Sequence, residues 1–537
     1  MNIGAVDAID DQKFLSDCFV NTGDLSVLRD TDDNKCIVLG RTGAGKTALL
    51  STIKSKEEHV IDLELDELSL NFISNSTILT FLEELNVNLD LFYQLLWKHV
   101  LTVELIKYKY NIINESKNKS FFDSLSSIFS RDKRKEQAIN YLSQWGDKFW
   151  LETDYRVREI TSRLEKEILA SIGLDKLGIN LEAQDLSKLS EEQKIEVSTR
   201  AQSIVNRVQI QDLSQVINLL AQDIFVDPQQ KYYILIDKLD DNWVDEGIRY
   251  KLIRALIESI KTFRRIKPVK IILALRLDLL ERVFDKTRDA GFQEEKYEDL
   301  IIRLRWNKQQ LQEIIDKRIG ALIREHYTKK SATFIDIFPA HVGNSSSLNF
   351  ILDRTLLRPR DAIVFINECL KKAEGTTQIT PTQMRSAEIT YSRKRLQSLT
   401  HEWFVDYPLL MTYCDLLKKR TSSFKRSAIT RQEVDDIALD LSILDKHPND
   451  PIHKIAKQYT ESSISWANLL NSLIKNLYKV GVIGIKKDSY ESPIWSQLDE
   501  PVISDGEVKR SSTIYVHPML WRVLGINDDS RAQKKNI

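Results

Sequence analysis

Short apolar runs separated by amphipathic stretches mark the first 66 residues of the chain and the segment from residue 228 to residue 299. Such runs, bounded by polar residues or glycine, predict strands at residues 36–39, 59–63, 232–236 and 271–275. A helix is predicted directly after the first strand, and another between the last two strands, where apolar residues share one face. Strands alternating with helices predict a parallel sheet with crossover helices.

Roughly 165 residues separate the second predicted strand from the third, and most of this stretch has helical spacing. Apolar residues form three stripes, at Phe92, Leu96, Val100 and Val103, at Val157, Ile160, Leu164 and Ile168, and at Leu213, Val216, Ile217, Leu220 and Ile224. Polar segments at residues 114–135 and 173–200 are predicted to be linkers. Because a compact sheet does not need so long a connection between two strands, we interpret this stretch as a helical insertion.

After residue 276 the pattern becomes helical again, and from about residue 379 its character changes. Helices there precede two predicted strands, at residues 482–485 and 513–516, which flank a polar stretch containing Lys509 and Arg510. Helices followed by a two-stranded ribbon with a polar tip predict a winged-helix module. The predicted domains are a sheet core at 1–66 and 228–299, a helical insertion at 67–227, a helical lid at 300–378 and a winged-helix-like domain at 379–537.

Composition narrows the class of protein. The 537 residues are 42% hydrophobic and 29% charged with 17 Gly, which excludes collagen-like and disordered chains. Lys+Arg (77) and Asp+Glu (78) nearly cancel, so no global field attracts nucleic acid or an anionic membrane. The four cysteines form no C-x-x-C pair, and no apolar run approaches the ~18 residues of a membrane span. We expect a soluble cytoplasmic protein without membrane contact.

The strongest chemical signal is the sequence Gly-Arg-Thr-Gly-Ala-Gly-Lys-Thr at residues 40–47, a complete G-x-x-x-x-G-K-[ST] P-loop. Its glycines allow successive backbone N–H groups to surround a phosphate, and the following helix adds the positive end of its dipole. Lys46 supplies charge to the outer phosphates, and the Thr47 hydroxyl ligates Mg²⁺. The predicted nucleotide-binding residues are Gly40, Arg41, Thr42, Gly43, Ala44, Gly45, Lys46, Thr47 and Ala48.

A second element supports a nucleotide site. The apolar strand at residues 232–236 ends in Asp237, the arrangement of a Walker B motif, and Asp237 is predicted to hold Mg²⁺ opposite Thr47. Asp240 and Asp241 follow closely. Carboxylates so close together repel one another unless they are solvated or lie near a cation. The alternative is an acidic loop after a buried strand, and the P-loop makes the metal site the preferred interpretation.

Arginines provide the remaining candidates. Arg276 ends the fourth predicted strand, where it can stabilise the γ-phosphate or simply open the next loop. Arg358, Pro359 and Arg360 begin a helix of the lid, and the two arginines can close over a phosphate or form an ordinary helix start. Both alternatives stay open on the sequence alone.

The residues Asp237-Lys238-Leu239-Asp240-Asp241 resemble the STAND and KAP classes of P-loop ATPase, in which an apolar strand is followed by Asp-x-apolar-acid-acid. The pattern departs from that of AAA+ proteins, where Glu directly follows the Asp, because Lys238 occupies that position. Arg276 and the lid segment Arg358-Pro359-Arg360-Asp361 are similar to elements of STAND and origin-recognition-type ATPases. The whole chain also resembles a bacterial family of P-loop ATPases, with supporting segments at 149–156 and 517–521.

The resemblance implies ATP and Mg²⁺ at Lys46, Thr47 and Asp237, activation of water by Asp240 or Asp241, and γ-phosphate sensing by Arg276. Relatives of this broad class act as ATP-driven switches that assemble with effectors, often in bacterial defence against phages. The resemblance therefore implies a homo-oligomer and a protein effector as partners.

Two other functions stay open. The first is a DNA-binding ATPase, for which basic residues lie in the C-terminal part at Lys418, Lys419, Arg420, Lys425, Arg426, Lys509 and Arg510. Nearby acidic residues favour a solvated charged surface instead. The second is a nucleotide-binding scaffold that hardly hydrolyses ATP, because the sequence identifies no arginine finger.

Overall fold

The computed structural model describes residues 2–5, 10–65, 89–111, 138, 141, 210–288, 293–326, 332–443, 447–488, 490–498 and 503–528. The chain forms two compact units. The helical unit comprises Met1–Val20, Thr42–Gly45 and Arg305–Ile537, and the sheet unit comprises Asn21–Arg41 and Lys46–Leu304.

The first elements in chain order are α1 (Gln12–Cys18), α2 (Asp24–Arg29), β1 (Ile37–Gly40), α3 (Lys46–Lys56), β2 (His59–Asp62), α4 (Asp90–Tyr110), α5 (Ile210–Leu219), β3 (Tyr232–Ile236), α6 (Glu246–Phe263), β4 (Val269–Arg276), α7 (Leu277–Thr287), α8 (Glu295–Glu298) and β5 (Ile301–Arg303). The helical part continues with α9 (Lys308–His326), α10 (Phe334–Ile337), β6 (His341–Val342), β7 (Ser345–Ser346), α11 (Ser347–Leu352), α12 (Pro359–Lys372), α13 (Pro381–Glu402) and α14 (Leu410–Tyr413). The last elements are β8 (Ser423–Lys425), α15 (Arg431–Ile443), α16 (Pro451–Thr460), α17 (Trp466–Val480), β9 (Ile483–Lys486), α18 (Asp505–Arg510), β10 (Thr513–Val516) and α19 (Trp521–Leu524).

The sheet unit is built on five parallel strands in the order β2-β3-β4-β1-β5. All residues of β1 and β3 are buried, which explains why these strands are continuous apolar runs in the sequence rather than alternating ones. Side chains of α4, α5, α6 and α7 complete the core of this unit. The predicted α/β fold with a P-loop core is confirmed.

The register of the sheet aligns the ends of its central strands. In the β1–β4 pair Gly40 lies opposite Arg276, and in the β3–β4 pair Ile236 lies opposite Leu273. The residues that follow β1 and β3, together with the last residue of β4, are therefore at one edge of the sheet. Ligands of open α/β sheets bind at this carboxyl edge.

The sheet extends beyond the boundary predicted at residue 299. Ile301–Arg303 pairs with β1 in parallel, so these residues belong to the sheet rather than to the lid. A strand of three residues is too short to establish a period that could be recognised in the sequence. The described parts of the predicted insertion, α4 and α5, are helices packed in the core of the sheet unit. The predicted helix at 157–168, the linkers at 114–135 and 173–200, and the segment 149–156 lie outside the described residues.

The helical unit has its own hydrophobic core, to which the N-terminal segment belongs. Ile3 and Val20 are buried with apolar residues of α9 and α12. The Arg318 guanidinium, itself buried, donates to the backbone oxygen of Ile3 at 2.8 Å and pairs with the buried Asp11. The described residues among the first 20 therefore pack in the helical unit, which corrects their assignment to the sheet core.

The C-terminal part combines α15, α16 and α17 with a three-stranded antiparallel sheet in the order β8-β10-β9. The two strands predicted from the sequence are confirmed. A third strand, β8, escapes the sequence because Phe424 is its one apolar residue. Lys509 and Arg510 lie in the short helix α18 and not at the tip of a ribbon, because Ser504 and Glu507 form a capping box that starts a helix there. The winged-helix assignment stays a prediction.

Stability of the helical unit depends on pH through His517. Burial lowers the pKa of His517 to about 3, so the folded protein keeps this ring neutral while the unfolded chain binds a proton near pH 6.5. The unfolded state thus gains protons as the pH falls from 6.5 toward 3, and the free energy of unfolding falls with the pH.

We expect lowering the pH from 7.0 to 5.5 to decrease the free energy of unfolding by about 1 kcal/mol through His517, measured by urea unfolding. His517→Gln should remove that share of the pH dependence, whereas replacing the exposed His401 in the same way should not. Equal pH slopes for His517→Gln and the wild type would contradict this account.

Candidate functional site

The loop between β1 and α3 has the backbone that a phosphate cradle requires. Gly43 and Gly45 adopt φ angles of 78° and 98°, in the region that favours glycine. α3 begins at Lys46, so unpaired N–H groups of its first turn lie at the end of the loop. A left-handed loop leading into a helix N-terminus is a ready-made anion site.

Lys46 is folded back on the start of the same loop. Its Nζ donates to the backbone oxygens of Gly40 at 3.1 Å and Arg41 at 3.3 Å. Burial lowers the pKa of the Lys46 ammonium, and the negative charges of Asp237 and Asp240 oppose that shift. Phosphate oxygens are stronger acceptors for an ammonium than neutral carbonyls are, so a nucleotide can replace these two partners.

The two predicted Mg²⁺ ligands meet in the sheet unit. The Thr47 hydroxyl donates to Asp237 Oδ2 at 2.7 Å, although the residues are 190 positions apart in the chain. The other carboxylate oxygen of Asp237 accepts the backbone N–H of Lys238 at 2.8 Å. A hydroxyl and a carboxylate are oxygen ligands of the kind Mg²⁺ prefers, so this pair fits the ion.

Asp240 and Arg276 are also brought together. Arg276 Nη1 lies 3.2 Å from Asp240 Oδ2, and the same guanidinium donates from Nε and Nη2 to the two carboxylate oxygens of Asp278 at 3.0 and 2.9 Å. The backbone oxygen of Asp241 accepts from Arg249 Nη1 at 2.9 Å, which fixes the acidic loop. Asp240 is thus positioned by Arg276, and Arg276 is oriented by Asp278.

Arg358 occupies a buried position in the helical unit. Its Nη1 donates to the backbone oxygen of Thr42 at 2.8 Å, and the guanidinium pairs with Asp361 and Glu402, each at 3.2 Å. Burial disfavours the charged form, but the two carboxylates outweigh it and hold the pKa of Arg358 above its ordinary value. Protein acceptors therefore bind Nε and Nη1 of the guanidinium, and the role of Arg358 as a phosphate contact stays a prediction. Pro359 is the first residue of α12, as in an ordinary helix start.

Arg360 lies directly against the phosphate loop. Its backbone N–H is 3.5 Å from the oxygen of Gly43, and a methyl group on Gly43 would lie within 2.7 Å of its Cβ. Gly43 is therefore required both by its φ angle and by this close approach. Arg360 thus lies beside the loop, and its contact with a phosphate stays a prediction.

Two further residues of the helical unit contact the site and were not predicted from the sequence. Trp306 Nε1 donates to the backbone oxygen of Ala44 at 2.7 Å, so an indole holds the tip of the loop. Glu402 is 44 positions from Arg358, a separation that no local motif reveals. A lone Trp just after a short strand is the one signal that the sequence offered for the first of them.

Protein groups bind three of the seven cations of the predicted nucleic-acid surface. Lys418 pairs with Asp415 and Arg420 with Glu433, both at 2.6 Å. Arg426 donates to the backbone oxygen of Lys509 at 2.9 Å and to Asn471. The exposed cations that remain from the predicted set are Lys419, Lys425, Lys509 and Arg510. Few phosphates can be neutralised by such a set.

The described residues contain neither a membrane-spanning helix nor a metal-binding cluster. None of their helices combines the length and the apolar character needed to cross a membrane. Within the same part of the chain, no three His, Cys, Asp or Glu side chains group as a metal cluster would require.

The chain is similar to a family model, a curated protein and a solved structure. Residues 309–400 match the model of the FunZ-associated C-terminal helical domain. The transposon gamma-delta 80.3 kDa protein of Escherichia coli (strain K12) is 22% identical over 539 residues, which cover 99% of this chain and 68% of that protein. The Walker-type ATPase PABY2304 of Pyrococcus abyssi aligns over 95% of this chain and 96% of its own, at 12% identity and a TM-score of 0.36. That score is too low for an argument about fold or function.

The different positions of the two lid arginines predict opposite phenotypes. Arg358→Met removes the cation shared by Asp361 and Glu402, although Asp361 keeps Arg395 at 3.2 Å, so it should lower the free energy of unfolding by about 3 kcal/mol without nucleotide. Arg360→Ala should change stability by less than about 0.5 kcal/mol and weaken ATP binding roughly 10-fold. Urea unfolding and fluorescent ATP titration measure the two effects. A fully stable Arg358→Met variant that loses ATP would support the phosphate role of Arg358.

Proposed function

We propose that this protein binds ATP with Mg²⁺, hydrolyses it to ADP and phosphate, and uses nucleotide occupancy as a conformational and oligomeric switch for a protein effector. The observation that carries the proposal is the hydrogen bond between Thr47 and Asp237. It joins the end of a glycine-dependent phosphate loop to a carboxylate at the end of a buried strand, which is the pairing that Mg²⁺–nucleotide binding requires.

The binding roles follow from the residue chemistry. Backbone N–H groups of the loop and the Lys46 ammonium bind the phosphates, while Thr47 and Asp237 hold Mg²⁺. The ion neutralises charge on the β- and γ-phosphates when it is bound. Lys46 gives up two carbonyl partners at 3.1 and 3.3 Å for the phosphates, so ATP changes the hydrogen bonding of the loop itself.

Hydrolysis needs a group that orients water. Asp240, held by Arg276 at 3.2 Å, is the better placed of the two predicted carboxylates, and Asp241 is the second candidate. The oxygen of water forms a bond to the γ-phosphorus as the bond from that phosphorus to the β–γ bridging oxygen breaks. The bonding electrons go to ADP, and a proton of the water passes to the carboxylate or to solvent.

The switch is supported by the way the helical unit holds the loop tip. The backbone oxygens of Thr42 and Ala44 accept from Arg358 and Trp306, at 2.8 and 2.7 Å. A change in the loop on binding phosphate alters these acceptors, and Arg358 carries the change to Glu402 at the end of α13. That a protein effector reads this change, in a setting such as antiviral defence, rests on the class resemblance.

DNA binding through the C-terminal part is the alternative function. It is supported by the helices that precede a three-stranded sheet and by the exposed Lys419, Lys425, Lys509 and Arg510. The pairing of Lys418 and Arg420 with carboxylates weighs against it. A DNA-binding form should lose affinity steeply between low and physiological salt.

Substitutions separate nucleotide binding from turnover. Lys46→Ala should raise the Kd for ATP roughly 10- to 100-fold, because it removes a charged hydrogen-bond donor. Asp240→Asn should leave the Kd within about twofold and lower kcat by ~10²-fold or more. Isothermal titration and phosphate release measure the two quantities. Lys54→Ala, at an exposed position of the same helix as Lys46, is the matched control and should behave as wild type.

Two results would change the assignment. Unchanged ATP affinity in Lys46→Ala would exclude the phosphate loop as the binding site. Tight ATP binding by the wild type with no phosphate release would leave the non-hydrolysing scaffold as the function.

The proposed oligomeric switch predicts that the number of chains in the assembly changes with nucleotide. Because ATP alters the contacts of the loop tip, we expect ATP with Mg²⁺ to raise the molar mass from that of one chain to that of two or more, measured by light scattering. Lys46→Ala should stay at its nucleotide-free mass under the same conditions. A mass independent of nucleotide in the wild type would argue against an oligomeric switch and move attention to DNA binding.

A further inference from the structure

Lys238, the residue directly after the Mg²⁺-binding Asp237, has a left-handed backbone with φ of 58°. Glycine, asparagine and aspartate adopt this conformation with little strain, whereas lysine does not favour it. Two hydrogen bonds hold it in place. Its N–H donates to Asp237 Oδ1 at 2.8 Å, and its backbone oxygen accepts from Asp241 N–H at 3.0 Å.

The Lys238 side chain makes no contact with the described residues that would offset the strain of this backbone conformation. Lys238 is exposed, and its ammonium has no hydrogen bond or ion pair with any residue that the structure describes. Lys46 and Arg276 differ in this respect, because both are bound by protein oxygens in the same unit. Glycine or asparagine would suit this turn better. Strain of this kind, kept without a structural return, points to a role in function.

The position of Lys238 indicates what that role is. Its Cα is about 3.8 Å from that of Asp237 along the chain, and the Asp237 carboxylate is bonded to Thr47. A lysine side chain is a flexible stem with a point charge at its end. The ammonium can therefore turn from solvent toward phosphates held at Thr47 and Asp237 without any rearrangement of the backbone.

We propose that Lys238 is a catalytic cation that acts within its own chain, placing its ammonium on the γ-phosphoryl group of bound ATP. This inference rests on the proposed ATP hydrolysis. The reaction is the one written above, with water adding to the γ-phosphorus and ADP leaving with the bridging oxygen. Negative charge grows on the bridging oxygen and is spread over the phosphoryl oxygens, and a cation there lowers the barrier. Lys238 would supply the charge that an arginine finger supplies in other P-loop enzymes.

The test compares Lys238→Asn with Lys238→Arg. Asparagine accepts the left-handed backbone but removes the charge, so we expect kcat to fall ~10²- to 10³-fold. The Kd for ATP should stay within about threefold, and Tm should be equal to or above that of the wild type. Arginine keeps the charge and should retain at least about a tenth of the wild-type kcat. Phosphate release, titration with ATP and thermal unfolding give the three readouts.

Lys231→Asn is the matched control, because it removes an exposed lysine just before the same strand that Lys238 follows. It should leave kcat unchanged. Suppose that Lys46→Ala abolishes turnover while Lys238→Asn keeps kcat within twofold of the wild type. That result would overturn the role of Lys238 and leave the proposed hydrolysis intact. Absence of turnover in the wild type would overturn both this role and the proposed hydrolysis.

Two further outcomes are decisive. A fall in Tm for Lys238→Asn would show that the lysine stabilises the fold, which contradicts the premise of strain without return. Recovery of activity on mixing Lys238→Asn with Lys46→Ala would show that the ammonium acts on a neighbouring copy, which would overturn its action within one chain.

Discussion

The register of the central strands is the constraint on which the candidate site depends. With Gly40 opposite Arg276 and Ile236 opposite Leu273, the strands β1, β3 and β4 end at one edge of the sheet. Thr47, Asp237 and Arg276 are far apart in the sequence, and the parallel pairing of these strands places them at the same edge. All residues of β1 and β3 are buried, so the core of the sheet unit encloses both strands along their whole length.

The sequence was most informative where a short pattern carries its own physical reason. The P-loop needs glycine at Gly43 and Gly45, and the structure gives both a positive φ. The strand before Asp237 is apolar throughout, and its predicted bounds agree with Tyr232–Ile236. The three-residue strands β5 and β8 were not predicted, since three residues cannot establish a period.

Ion pairs between residues far apart in the chain could not be predicted from the sequence, for a different reason. Arg358 and Arg360 are two residues apart in one motif, yet Arg358 is buried against Glu402 while Arg360 lies on Gly43. The buried position of Arg358 depends in part on Glu402, which α13 contributes from 44 positions away. The conformation of Lys238 was equally hidden, because the left-handed turn depends on hydrogen bonds to Asp237 and from Asp241 that no residue pattern encodes.

The charges at the edge of the sheet explain how a nucleotide can alter this protein. Lys46, Arg276 and Asp237 all have protein partners in this structure, at distances between 2.7 and 3.3 Å. Phosphates and Mg²⁺ cannot bind without replacing some of these partners. A ligand shifts a conformational equilibrium only by the difference in its interaction with the two states, and exchanging partners creates such a difference. On the proposed function, the hydrogen bonds that order the loop would therefore make its conformation sensitive to ATP.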